Sequence, residues 1–383
     1  MPNLTYIGQT PTEGTGSPVI VLRHLRHLAA RGWEITIIGE HGQDTSACER
    51  AGWTVQHLPL RRRWWPPFHP DKPLLRKLRT TLLARECRRA TVAAPPDAIF
   101  GYLAAHADFS SEIAAHFARQ TGRPLTLLVH DDAAAFGKDA AEKKVLRRRH
   151  AWILRQAHRC WFVSPELARE YDVDEEARRV LLPIPEGWEQ PADWSPARAL
   201  SPRVYYAGAL WPPQFPLLAQ IARTLHAAGT RLVILSRETP ELRAFLASEP
   251  ADGLNPFPGN RDALAHLVRD AAGLLVAYTA TVAEMPWIAT SFPSKFIEYS
   301  HLGLPCAVVA PTGSAFGRWA ERNTFPAFFP PDRLDAFGRW AASLRDANRW
   351  RELAGIMREL ARREFDCAEI QRKLEVNLIG ADS

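Results

Sequence analysis

Residues 291–310 read SFPSKFIEYSHLGLPCAVVA, and this stretch decides the fold. Pro293 stands where a helix can begin, Gly303 stands where it can end, and Pro305 prevents the helix from continuing. The apolar run from Cys306 to Ala310 is typical of a buried strand. The stretch therefore predicts a loop, a helix, a turn and a strand in succession.

The start of this helix is suited to an anion. Free backbone N–H groups and the helix dipole favour negative charge there, and Lys295 adds a positive charge on the same turn. Glu298 follows three residues later on the same helix face, and its carboxylate can accept hydrogen bonds from paired hydroxyls such as those of a ribose. The spacing indicates a phosphate and ribose site, with a solvated Lys295–Glu298 ion pair as the alternative.

The segments PSKFIEY and HLGLPCAVVA resemble the donor-binding segment of GT-B nucleotide-sugar glycosyltransferases, especially the retaining group called family 4. The resemblance implies that Glu298 binds the ribose and that Ser294 and Lys295 lie against the diphosphate. Family members often carry a second glutamate eight positions earlier, beside the transferred sugar. That position is Thr290 here, next to Ser291, which puts the usual sugar contact and retention of configuration in question.

The chain has 383 residues, 46% of them hydrophobic, which suits two α/β domains. The resemblance implies two Rossmann-like domains facing a cleft, with the C-terminal helix crossing back to the first. Proline spacing and element order predict a linker at 184–202 between two domains, 1–183 and 203–365. The resemblance implies that the first domain binds the acceptor, that the second binds the donor and that 366–383 is a crossover segment.

Composition limits the location and the partners of the protein. No apolar run approaches the roughly 18 residues of a membrane span, and the N-terminus has no long hydrophobic signal region, so we expect a cytoplasmic protein. The five cysteines are scattered without a Cys-x-x-Cys pair, so neither a zinc site nor a disulfide framework is indicated. The basic residues form no recognised nucleic-acid module, and we expect no nucleic-acid partner.

The segment Arg61 to Arg89 is the strongest charge anomaly, with ten basic and two acidic residues in a chain of net charge +6. It continues into a helical pattern whose leucines, beginning at Leu74, share one face. Aromatic rings and basic residues together suit an anionic membrane or a lipid-linked acceptor. Core leucines and solvated arginines are the alternative. The residues proposed for this contact are Arg61, Arg62, Arg63, Trp64 and Trp65.

Residues 4–38 read as strand, glycine-containing loop, helix and strand, which predicts a βαβ unit of a parallel sheet. The loop contains Gly14 and Gly16, but Val19 stands where a dinucleotide fingerprint needs its next glycine, which disfavours a nicotinamide cofactor. The resemblance implies that this loop brings backbone close to the donor phosphate or the acceptor. A turn that simply needs glycine is the alternative.

The strand Leu125 to Val129 leads directly into His130, Asp131 and Asp132. The carboxyl end of a strand is where an α/β sheet places catalytic groups. LLVHDD resembles the His-Asp element of many GT-B enzymes, so His130 or Asp131 is expected to contact the transferred sugar or to accept the proton of the acceptor. A capping aspartate with a structurally bonded histidine is the alternative.

The second half begins again with a strand, and Gly208 marks a position of close backbone approach. The resemblance implies a basic residue soon after this glycine, but Leu210 and Trp211 follow instead. Arg237, just beyond the next strand, can compensate because it lies at the same sheet edge. The resemblance places the nucleotide base near Arg261.

These features predict a hexosyltransferase-type glycosyltransferase that moves a sugar from a nucleotide-sugar donor to a glycan, lipid-linked or small-molecule acceptor. No Asp-x-Asp occurs in a suitable loop, so we expect neither a metal nor a separate cofactor. An epimerase or hydrolase of the same fold remains an alternative. A non-catalytic scaffold is the other, favoured by Thr290 and by the missing basic pair near Gly208.

Overall fold

The computed structural model describes residues 1–13, 16–40, 42–58, 73–103, 108–137, 139–257 and 259–378. The chain forms two compact units, the first comprising Met1–Leu182 with Ala368–Ser383 and the second Pro183–Cys367. Each unit is built on one parallel sheet with helices between successive strands. The predicted α/β class is confirmed, as is the return of the C-terminal helix to the first unit.

The sheet of the first unit has the order β3-β2-β1-β4-β5-β6-β7, with every pair parallel. Strands β4 and β5 are buried at every position, as expected for apolar runs covered on both faces. The order reverses between β1 and β4, which places the ligand edge at their carboxyl ends. The strands are β1 Asn3–Ile7, β2 Glu34–Glu40, β3 Thr54–Leu58, β4 Ala98–Tyr102, β5 Leu125–Val129, β6 Arg159–Phe162 and β7 Arg178–Val180.

The helices of the first unit begin with α1, which follows Gly16 in the left-handed region at φ 82°. The positive φ explains the glycine at this position, since other residues rarely adopt it. The helices are α1 Ser17–Ala30, α2 Ser46–Arg50, α3 Pro73–Ala90, α4 Asp108–Thr121, α5 Ala140–Leu154 and α6 Pro165–Arg169, and the C-terminal helix is α15 Cys367–Glu375.

The sheet of the second unit has the parallel order β10-β9-β8-β11-β12-β13, so its first strand again lies between the second and the fourth. The strands are β8 Arg203–Ala207, β9 Arg231–Leu235, β10 Ala251–Leu254, β11 Gly273–Ala277, β12 Cys306–Val309 and β13 Phe328–Phe329. The helices are α7 Pro196–Leu200, α8 Phe215–Ala227, α9 Pro240–Ser248, α10 Asn260–Asp270, α11 Ser294–Ser300, α12 Ala315–Arg322, α13 Leu334–Ser343 and α14 Ala347–Arg363. The segment 184–202, expected as a linker, lies within this unit and contains α7.

The stretch that decides the fold has the predicted loop, helix, turn and strand. Helix α11 has seven residues, and Gly303 ends the turn after it with a φ of 63°. Phe296 of α11 is fully buried among the rings of Phe316, Trp319, Phe325 and Phe365, with centroid distances from 4.7 to 5.9 Å. So short a helix is not stable by itself, and this aromatic packing fixes it in place.

Helix α3 is present as predicted, but its first leucines do not face the core. Leu74, Leu75 and Leu78 are 82%, 49% and 57% exposed, so the alternative that places them in the core is wrong for these three. The inward face instead buries Arg76 in an ion pair with Glu112 of α4. Among the described residues no helix is long and apolar enough to span a membrane. Arg61, Arg62, Arg63, Trp64 and Trp65 lie outside the described residues.

The C-terminal helix is held by polar contacts to α1 and to the turn that follows α1. The Nδ1 atom of His24 is 2.8 Å from Oε1 of Gln371, and the indole N–H of Trp33 donates to Glu375 at 3.1 Å. Burial lowers the pKa of His24 to about 4, against a smaller opposite effect of the Gln371 hydrogen bond. Because the unfolded histidine binds a proton more readily than the folded one, His24 stabilises the fold above its unfolded pKa and loses that contribution as the pH falls.

We expect the free energy of unfolding to drop by about 2 kcal/mol on account of His24 between about pH 7.5 and about pH 5. His24→Asn keeps an N–H near the position of Nδ1 but does not titrate, so its stability should depend less on pH. Urea unfolding followed by tryptophan fluorescence at both pH values measures the difference. Equal pH dependence in the two proteins would contradict this role for His24.

Candidate functional site

Lys295 of α11 extends over the end of strand β8. Its Nζ atom lies 4.3 Å from the centroid of the Tyr206 ring and 3.1 Å from the Tyr206 hydroxyl. Gly208 follows the strand at a φ of 120°, and a β-carbon there would collide with Cε and Nζ of Lys295. The structure thus brings together Gly208 and Lys295, which the sequence assigned to one site, and adds Tyr206.

The positive charge of Lys295 is not neutralised by an acidic side chain. In the described part of the chain its ammonium forms no ion pair with a carboxylate, and its hydrogen-bond partner is the phenol of Tyr206. The Lys295–Glu298 ion pair, which was the alternative to a phosphate and ribose site, is therefore not formed. The neutral Tyr206 phenol brings no negative charge that would compete with an incoming anion.

Glu298 lies on the same helix and is half-buried. Its two carboxylate oxygens are 3.4 and 3.3 Å from the backbone N–H of Glu186. One residue further along α11, the Tyr299 hydroxyl accepts from the N–H of Ala207 at 3.1 Å and lies 3.3 Å from the Ala207 carbonyl oxygen. These contacts hold the helix to the end of β8 and fix the position from which Lys295 and Glu298 project.

The other predicted donor residues take different positions. Thr290 and Ser291 are buried in the turn before α11, where the Thr290 hydroxyl donates to the Trp287 carbonyl at 3.3 Å. Ser294 is exposed as the first residue of α11. Arg237 is exposed just beyond β9, with no ion pair to a described residue, and so lies on the same sheet edge one strand away from β8.

Sequence reasoning missed two aromatic residues of this region. Tyr206 is the partner of Lys295, and the ring of Trp188 lies 5.4 Å from the guanidinium carbon of Arg261. The sequence could have indicated Tyr206, because the same Tyr-x-Gly pattern occurs at the end of the first strand in each half of the chain. The tryptophan had no such signal, since it stands in a proline-rich segment expected to be a linker.

In the first unit, His130 is buried and lies edge-on to Tyr102, with ring centroids 5.3 Å apart. Burial, reinforced by the nearby His24, lowers the pKa of His130 to about 3, so the ring is neutral at physiological pH. The Tyr102 hydroxyl bonds to Ser17, the first residue of α1. Burial, and then the charge of Asp131, raise the pKa of Tyr102.

Asp132, not Asp131, is the capping aspartate. Its carboxylate accepts from the N–H of Ala134 at 3.2 Å, from the Tyr171 hydroxyl at 2.9 Å and from Arg147 at 3.0 Å. Asp131 is half-buried at the sheet edge beside this network. Of the predicted glycine loop, Gly16 precedes α1 at this edge, and Gly14 lies outside the described residues. No cluster of three or more potential metal ligands occurs in the described ranges.

The whole chain superposes on glycosyltransferase structures of the GT-B fold. HepE from Anabaena, in complex with UDP and glucose, has a TM-score of 0.67 at 12% identity and covers 99% of both chains. A glycosyltransferase from Rickettsia africae has a TM-score of 0.66 at 11% identity over 98% of this chain and 97% of that one. WaaG, involved in lipopolysaccharide biosynthesis, has a TM-score of 0.62 at 12% identity over 99% of this chain and 100% of its own.

The chain is therefore a GT-B fold protein, as the resemblance implied. The model of the glycosyl transferase 4-like domain matches residues 15–185. No curated protein matches the sequence.

Replacing Asp132 by Ala should lower the free energy of unfolding by about 1 to 3 kcal/mol, because the change leaves the buried Tyr171 hydroxyl and the N–H of Ala134 without their acceptor, while Arg147 keeps its ion pair with Glu170. Asp131→Ala is the matched control and should be much less destabilising. Chemical denaturation of both variants measures the difference. Equal destabilisation would show that the two carboxylates share one structural role.

Proposed function

We propose that this protein is a glycosyltransferase that transfers a sugar from a nucleotide-sugar donor bound to the second unit. The observation that carries the proposal is the un-neutralised ammonium of Lys295 beside the close-approach position Gly208, on the helix that also presents Glu298. Lys295 faces the diphosphate and Glu298 accepts from the ribose hydroxyls. The structurally similar HepE was crystallised with UDP and glucose, which supports UDP-hexose as the first donor to test.

The reaction requires stabilisation of the departing nucleotide diphosphate. Lys295 offsets the negative charge that develops as the bond to the sugar breaks, and Arg237 on the neighbouring strand adds a second cation. We infer that no metal is needed, because these side chains meet the charge. Electrostatic stabilisation of the leaving group is the main catalytic contribution of this chain.

The first unit is proposed to bind the acceptor. We assign the proton-accepting role to Asp131, because burial lowers the pKa of His130 to about 3 and makes its ring a weak base. His130 serves as a neutral hydrogen-bonding group at the sugar. This division assigns separate roles to two residues that the sequence alone left interchangeable.

A peripheral membrane contact is proposed for the surface around the first turns of α3. Leu74, Leu75 and Leu78 are exposed there, and the exposed Lys77 lies among them. An apolar helix face flanked by cations binds the boundary of an anionic bilayer. The surface would bring the first unit to a lipid-linked acceptor of polysaccharide biosynthesis, with the protein on the cytoplasmic face.

Thermal shift with UDP, GDP, ADP, CMP and dTDP should identify the donor nucleotide, since a ligand of the native state raises the melting temperature. Glu298→Ala should then weaken binding of that nucleotide by about 1 to 3 kcal/mol through loss of charge-assisted hydrogen bonds.

Asp131→Ala should leave the affinity for the nucleotide unchanged and reduce the turnover of the donor.

Calorimetric titration and a donor-turnover assay separate these two outcomes. Unchanged nucleotide affinity in folded Glu298→Ala would refute the donor site. Donor turnover that does not depend on an added acceptor would favour the hydrolase or epimerase alternative.

Cosedimentation with vesicles tests the membrane proposal. Binding should require anionic lipid and weaken with salt, because each engaged cation contributes about 1 kcal/mol near such a surface. Leu74→Ser with Leu78→Ser, and separately Arg61, Arg62 and Arg63 changed to Ser, should reduce binding. Leu200→Ser is the control, since Leu200 is 86% exposed but belongs to the second unit. A wild type that stays in the supernatant at low salt would contradict the proposal.

A further inference from the structure

We propose that Tyr206 is a positioning residue that presents Lys295 to the donor diphosphate. The pair supplies, from the strand and the helix, the cation that the loop residues Leu210 and Trp211 do not supply. This inference rests on the proposed function and extends it to a residue that the sequence did not single out.

Tyr206 is itself rigidly held. It is 3% exposed, and its hydroxyl donates to the Ala209 carbonyl at 2.9 Å. Gln214 lies 3.5 Å from the same hydroxyl and donates to the Ala277 carbonyl of β11 at 2.7 Å. The phenol is therefore fixed to both strands that meet at the ligand edge, and its remaining lone pair accepts from Lys295.

The contact suits a lysine that must meet an anion. The ring face and the hydroxyl of Tyr206 both attract the ammonium, and neither carries a charge that would cancel it. A lysine side chain otherwise samples many rotamers, so fixing it beforehand reduces the conformational entropy lost when the anion binds. Gly208 leaves open the space that Cε and Nζ of Lys295 occupy.

The first unit contains the same turn without the lysine. The Tyr6 hydroxyl donates to the Gln9 carbonyl at 3.0 Å around Gly8, as Tyr206 does to Ala209 around Gly208. In the described ranges Tyr6 contacts Phe100 and accepts from no lysine. Shaping the turn thus requires only the tyrosine, and the Lys295 contact is an additional property of the second unit.

A double-mutant cycle tests the assignment, using calorimetry with the nucleoside diphosphate that binds best among UDP, GDP, ADP, CDP and dTDP, and with its monophosphate. Lys295→Met should weaken binding of the diphosphate by about 30-fold, since a charge-assisted hydrogen bond is lost, and should weaken binding of the monophosphate less. Tyr206→Phe keeps the ring and removes the hydroxyl, and it should weaken binding of the diphosphate by about 3-fold to 10-fold. The double variant should bind like Lys295→Met alone, because Tyr206 acts through the lysine.

Tyr6→Phe is the matched control, since it removes the equivalent turn hydrogen bond and should leave diphosphate affinity unchanged. Chemical denaturation confirms that each variant is folded. Additive losses in the double variant, or full affinity in Tyr206→Phe, would overturn the positioning role while leaving the donor site intact. A wild type that binds none of the five diphosphates would overturn the proposed function itself, and this inference with it.

Discussion

The burial of Phe296 is the constraint on which the candidate donor site depends. Helix α11 is too short to hold its shape in water, and the surrounding aromatic rings supply the packing that its backbone hydrogen bonds cannot. Phe296 anchors the buried face of α11, and Tyr299 ties the helix to Ala207 of β8. Lys295 shares a face with Tyr299 and therefore reaches Tyr206 on the same strand. The position of the Lys295 side chain thus depends on the contacts of its buried neighbours Phe296 and Tyr299.

The two sheet edges have the same topology and opposite electrostatics. In the first unit, burial keeps His130 neutral and raises the pKa of Tyr102, and Asp132 is paired with Arg147, so the described part of this edge holds no cation comparable to Lys295. In the second unit, Lys295 and Arg237 bring positive charge to the edge without acidic partners among the described residues. One sheet edge suits a sugar or a neutral acceptor, and the other suits a diphosphate.

Strand and helix order could be predicted from the sequence because apolar runs, glycines and prolines mark the elements locally, as in residues 291–310. The contacts of the site could not, because they join residues distant in the chain, such as Tyr206 with Lys295 and Glu186 with Glu298. The exposure of Leu74 could not be predicted either, because helical periodicity shows which residues share a face but not whether that face is buried. Asp131 and Asp132 have the same side chain, so the sequence could not show which of them caps the following turn; the backbone position of Asp132 allows it to accept from the N–H of Ala134.

The first unit is discontinuous in sequence, since Ala368–Ser383 completes it after the entire second unit. During synthesis, therefore, the half that leaves the ribosome first is finished last. The surface around His24 of α1 and Trp33 just after it stays uncovered until Gln371 and Glu375 emerge. The second unit has all its residues before that moment, so a chain that stops early would contain one complete domain and one open one.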